Sequence, residues 1–82
     1  MKWSEFFPSE FEYDEENDKL ADHGITFEEA VQCFFNEFTV SRNKRFKDRW
    51  QLIGQTDGGR KLKVIFQLKP ERIVRIITGW PI

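Results

Sequence analysis

Eighty-two residues, with 13 Lys and Arg against 14 Asp and Glu, make one domain with room for a single modest core. One cysteine excludes an internal disulfide, and one cysteine with one histidine excludes a Cys/His zinc site. No stretch reads as a signal peptide or approaches membrane-spanning length, so a soluble, reducing, cytoplasmic setting with no membrane partner is the expectation. Nine Phe, three Trp and one Tyr supply the apolar area that so short a chain has to bury.

The near-neutral total hides an asymmetry. Up to Phe38 the chain holds eleven acids and two bases; beyond it, eleven bases and three acids. Segregation of this kind suggests a half built to meet an anion, although acidic helices and basic strands that merely complement one another would give the same count.

Taken in order, residues 1–10 carry Trp3, Phe6, Phe7 and Pro8 without a clear period and read as an irregular aromatic arm whose rings pack on the rest of the fold. A short helix is expected from Asp14, which can cap it, with Glu15 and Glu16 at its positive end and Gly24 as its stop. Thr26-Phe27-Glu28-Glu29 has capping-box spacing, and Phe27, Ala30, Val31, Phe34, Phe35 and Phe38 recur at helical steps as a core-facing stripe. Thr39-Val40-Ser41 can form a short edge strand, followed by the basic loop Arg42-Asn43-Lys44-Arg45-Phe46-Lys47.

Three alternating runs then follow, residues 49–54, 61–68 and 72–78. Asp57-Gly58-Gly59 joins the first two as a hairpin, and Lys69-Pro70-Glu71-Arg72 turns into the third. Pairing that puts Trp50, Leu52, Leu62, Val64, Phe66 and Leu68 on one face makes that face the core. Arg49, Gln51, Lys61, Lys63, Gln67 and Arg75 then share the other face with Ile53, Ile65, Ile73 and Ile77. The expected fold class is α+β, with two N-terminal helices on one face of a three- to four-stranded antiparallel sheet and residues 1–82 as a single domain.

Conventional catalytic groupings are thin. Cys33 lies in the aromatic helix far in sequence from His23 and reads as a small buried hydrophobe. The pairs Glu15-Glu16 and Glu28-Glu29 are explained by helix starts, and no phosphate-cradling Gly-rich loop precedes a helix. What remains is the cationic set: Arg42, Lys44, Arg45, Lys47, Arg49, Arg60, Lys61, Lys63 and Arg75. Guanidinium groups take phosphate oxygens bidentately, and apolar residues among them can support unstacked bases.

One run of signals resembles the BrnT toxin family. It comprises Phe11-Glu12-Tyr13-Asp14, His23-Gly24-Ile25-Thr26-Phe27-Glu28-Glu29-Ala30, Asp48-Arg49 with Gly54, Gly59-Arg60, and Val74-Arg75-Ile76-Ile77. The resemblance implies a RelE-like ribonuclease fold, metal-independent endoribonuclease activity on RNA without a cofactor, and a cognate antitoxin protein as partner. Two departures accompany it. The Asp14-to-His23 segment is short, and Thr78-Gly79-Trp80-Pro81-Ile82 stands where the family has an arginine, at Trp80, and then an Arg- and Glu-rich helix.

On this reading His23, the one imidazole of the chain, is the nominal acid or base if the fold brings it to the basic face, and otherwise a lysine or a carboxylate has to take that role. Arg49, Lys63 and Arg75 stabilise the phosphate, with Arg45, Arg60 and Lys61 as further substrate contacts and no metal site. The alternative is a non-catalytic toxin-like module whose basic face holds an acidic protein partner or nucleic acid, and a bare scaffold is a third reading.

Overall fold

The computed structural model describes residues 2–82, so Met1 of the expected arm lies outside it. Five strands form one mixed sheet: β1 (Glu10–Tyr13), β2 (Phe38–Arg42), β3 (Trp50–Gln55), β4 (Lys61–Lys69) and β5 (Ile73–Pro81), in the order β1-β5-β4-β3-β2. Strands β2 to β5 are an antiparallel meander, while β1 runs parallel to β5, with Phe11 opposite Val74 and Glu12 opposite Arg75. The expected three or four antiparallel strands are therefore corrected to five, with one parallel pair. The extra strand comes from the chain just behind the aromatic arm.

The meander has the expected register. Leu52 faces Val64 and Trp50 faces Phe66, which places Leu52, Leu62, Val64, Phe66, Val74 and Ile76 on one fully buried face. Between Ile65 and Phe66 the pairing with β5 shifts, so Phe66 meets Ile76 but Ile65 meets Thr78. This irregularity lets Gly79 continue the buried face opposite Val64.

Two short helices, α1 (Lys19–Asp22) and α2 (Phe27–Gln32), cover that face with Leu20, Ile25, Ala30, Cys33 and Phe34. Asp14 caps a single 3-10 turn, Glu15–Asn17, and it is Asp18 that caps α1, accepting from the Ala21 amide at 3.0 Å. Gly24 follows with φ +74°, the left-handed conformation expected of a helix stop. Both halves of the Thr26 capping box form, Glu29 N–H to Thr26 Oγ1 and Thr26 N–H to Glu29 Oε1, each at 3.1 Å.

Helix α2 is shorter than its apolar stripe. It ends at Gln32; Phe34 is buried, but Phe35 is left 59% exposed and Phe38 begins β2. The aromatic arm is ordered against the same covered face: Trp3 sits edge-on to Phe6, Trp50 and Phe66 at centroid distances of 5.2, 5.1 and 5.9 Å. Because helices and arm share one face, the opposite face of the sheet stays open.

Candidate phosphate-binding cleft on the open sheet face

Across one end of the open face runs a row of polar side chains. Arg75 on β5 is opposite Gln67 on β4 and Glu12 on β1, and Arg49 immediately precedes Trp50, whose partner is Phe66, the neighbour of Gln67. These positions place Arg49, Gln67 and Arg75 around a cleft of about 240 Å3, completed by Asp14, Asn17, Lys19, Ile76 and Ile77. Strand β5 and the residue that leads into β3 each supply a guanidinium group, and the segment that follows β1 supplies a carboxylate and an ammonium.

The cleft is electrostatically poised for an anion. Among the described residues two ion pairs form, Lys69 with Glu12 at 2.7 Å and Arg60 with Glu29 at 3.4 Å. The first engages Glu12, the register partner of Arg75 on β1, and neither Arg49 nor Arg75 takes part in one. Asp48 is likewise occupied, accepting from Gln67 Nε2 at 2.7 Å. The Arg49 guanidinium lies over the Phe46 ring at 4.2 Å, and its Nε is shut off from solvent with no acceptor. A buried donor left unpaired costs about 1–3 kcal/mol.

The other expected site residues are distributed around this centre. Lys63, opposite Trp80 and Ile53, holds its ammonium 5.9 Å from the Trp80 ring centre at the other end of the open face. His23 closes α1 and its ring lies 5.8 Å from the same indole, so it is not among the cleft residues. Arg60 binds the Gly24 carbonyl at 3.1 Å as well as Glu29, tying the β3–β4 hairpin to the helices. Lys61 borders a separate, larger cleft of about 820 Å3 with Phe35, Phe38, Ile53 and Gln55. Arg45 is exposed in the β2–β3 loop, its guanidinium 5.6 Å from Phe46.

Asp14, Asn17, Lys19 and Gln67 were not singled out as site residues by the sequence. Gln67 was legible only as a member of the basic face. The other three reach the cleft through the parallel β1–β5 pairing, for which the sequence carries no local signal. Among the described residues no three His, Cys, Asp or Glu side chains form a metal-binding group, and no helix is long and apolar enough to cross a membrane. Cys33 is buried, its Sγ 3.4 Å from the Glu29 carbonyl, and desolvation pushes its thiol up to about 11.

Comparison with known proteins adds an independent line. The family model described as "Ribonuclease toxin, BrnT, of type II toxin-antitoxin system" matches residues 13–79. The chain is also similar to the crystal structure of the Brucella abortus ribonuclease toxin BrnT, with a TM-score of 0.62 and 22% identity over 89% of this chain and 95% of that one. At that identity the likeness speaks for the fold alone. No curated protein matches the chain.

Proposed function

We propose, since this chain belongs to the BrnT family of ribonuclease toxins of type II toxin–antitoxin systems, that it cleaves RNA in the cleft between Arg49 and Arg75 without a metal ion. The observation that carries this is the convergence of two guanidinium groups, neither in an ion pair, on one small cleft that also holds a carboxylate and an ammonium. Arg49 and Arg75 take the non-bridging oxygens of a phosphodiester and stabilise the negative charge that grows on them in the transition state.

The ribose 2′-oxygen attacks the adjacent phosphorus while the bond from phosphorus to the leaving 5′-oxygen breaks, giving a 2′,3′-cyclic phosphate and a free 5′-hydroxyl. Asp14 accepts the proton from the 2′-hydroxyl and Lys19 donates one to the leaving oxygen, since these are the titratable partners that line the cleft beside the arginines. Proton transfer is thus assigned to Asp14 and Lys19 in place of His23, which packs on Trp80. The positive charge needed at the phosphate comes from side chains already present, which is why the reaction needs no metal.

Type II membership implies an antitoxin protein, and we assign its inhibitory contact to this open face. An acidic antitoxin segment would neutralise the arginines and cover the half-buried Ile73 and Ile77 that flank Arg75 on β5.

The test is cleavage of a labelled single-stranded RNA by wild type, Arg49→Ala and Arg75→Ala in the presence of a chelator. Loss of cleavage in both variants, with wild type unaffected by the chelator, is the expected result. Undiminished rates in the variants would eliminate this cleft, and chelator-sensitive wild type would eliminate the metal-free step.

A further inference from the structure

The loop between β2 and β3 holds an aromatic side chain outward among cations. Phe46 is 42% exposed and stands outside the core cluster, flanked in sequence by Arg42, Lys44, Arg45, Lys47 and Arg49. The loop is closed rather than loose. Asn43 Oδ1 accepts from the amides of Arg45 and Phe46 at 2.9 and 3.0 Å, the Asn43 amide donates to the Arg49 carbonyl at 3.1 Å, and the Arg49 amide donates to the Phe46 carbonyl at 3.2 Å. Arg42 Nη1 adds a bond to the Lys47 carbonyl at 3.4 Å. The ring is covered in part by the Arg49 guanidinium and keeps its remaining surface open to solvent among these cations.

We propose that Phe46 is a base-stacking platform for single-stranded RNA, receiving an unpaired base of the strand whose phosphate lies between Arg49 and Arg75. The inference rests on the ribonuclease reading of that cleft and adds the form of its substrate. Arg49 connects the two subsites physically: its guanidinium lies on the Phe46 ring at 4.2 Å and the same residue lines the cleft. Arg45 sits more loosely at 5.6 Å; it yields its place on the ring to the base and meets a neighbouring phosphate. Stacking of this kind tolerates any base, because every base has a π-face, but it requires the base to be out of a duplex. The substrate is therefore single-stranded, with little base preference arising at this subsite.

The test uses a fluorescein-labelled RNA oligonucleotide carrying 2′-O-methyl groups, which binds but lacks the attacking hydroxyl, offered as a single strand and as a duplex. Binding is followed by anisotropy for wild type, Phe46→Ala, Phe46→Leu and Phe46→Trp, with thermal unfolding as the check that the exposed site leaves the fold intact. Phe46→Ala is expected to weaken single-strand binding by about tenfold and duplex binding little. Phe46→Trp should restore the affinity and Phe46→Leu should not.

Unchanged single-strand affinity in Phe46→Ala, an equal loss on duplex, or full rescue by Leu would overturn the proposal. If those results accompany wild-type cleavage that depends on Arg75, the ribonuclease reading survives without the platform. If wild type neither binds nor cleaves RNA, both fall together.

Discussion

Lys63 and Trp80 are register partners on β4 and β5, and the lysine ammonium lies 5.9 Å from the centre of the indole, which His23 approaches at 5.8 Å. An aromatic residue thus occupies the end of the open face where the resemblance to the family expects an arginine. Trp80→Arg adds a cation to that face without touching the buried cluster. RNA cleavage at low salt is expected to rise by up to about tenfold, with the gain shrinking as salt screens it. Single-turnover rates at two salt concentrations check this, and no gain at low salt would show that the Trp80 end is remote from the reaction.

Arg75 and Arg49 differ from lysine in presenting a planar fork to phosphate. Arg75→Ala is expected to lower the cleavage rate by about 100-fold, in the range found for removal of one transition-state donor. Arg75→Lys should recover part of this, because a point charge replaces the monopole but not the bidentate geometry. Equal rates for the two variants would show that geometry, and not charge alone, carries the whole effect.

Stability should fall at both ends of the pH scale because of one hydrogen-bonded pair. The Tyr13 hydroxyl donates to the Asp18 carboxylate and accepts from the Leu20 amide at 3.0 Å. Burial first, then the bond to Asp18, pushes Tyr13 up to about 12, while the Tyr13 bond, followed by that from the Ala21 amide, holds Asp18 below the usual carboxylate value. The Asp18 contribution is complete above the ordinary aspartate pKa of about 3.9 and is lost as pH falls through the lowered one. The Tyr13 contribution is complete below the ordinary tyrosine pKa of about 10, and is lost as pH rises from there toward about 12. Melting temperature against pH should therefore decline on both limbs. In Tyr13→Phe the alkaline decline due to this residue should vanish and the acid one should shrink.

Gly79 lies where the helical layer meets the sheet. A Cβ there would stand 2.8 Å from the Lys63 carbonyl oxygen and 3.4 Å from both Ile25 and Leu20. The carbonyl belongs to the paired strand and cannot move aside cheaply, so Gly79→Ala is expected to cost about 2 kcal/mol. Urea denaturation measures it; an unchanged midpoint would mean that β5 shifts freely against β4.

Cys33 should be silent toward thiol reagents in the folded protein. Its side chain is fully buried and its thiol is pushed up to about 11, so neither access nor thiolate is available near neutral pH. Reaction with a disulfide reagent at pH 8 is expected only as fast as the protein opens, and should become immediate in denaturant. Rapid labelling of native protein would contradict the packing of Cys33 beneath the sheet.

What could be read from the sequence was local. Alternation in residues 49–54 and 61–68, with Asp57-Gly58-Gly59 between them, specifies the β3–β4 pairing, because a one-residue slip would turn Leu52 and Val64 to solvent. The capping box at Thr26 and the stop at Gly24 are equally local and appear as expected. Strand β1 was hidden because Glu10-Phe11-Glu12-Tyr13 is only four residues long and finds its partner at the far end of the chain. The end of α2 was obscured by Phe35 and Phe38, which prolong the helical period past the point where the chain turns toward β2. Arg49 and Arg75 could be placed on one face from alternation. That Asp14 and Lys19 join them, and that His23 turns to Trp80, depends on contacts between distant segments.

The parallel seam between residues 10–13 and 73–76 also sets an order of events in time. Strands β2 to β5 pair with their immediate successors and can assemble from nearby chain, whereas β1 has to wait for β5. Asp14 and Lys19 come with β1, while Arg75 arrives with β5. On a ribosome the two sides of the cleft therefore remain apart until β5 has been made. A cleft assembled in this way exists only once β1 has paired with β5.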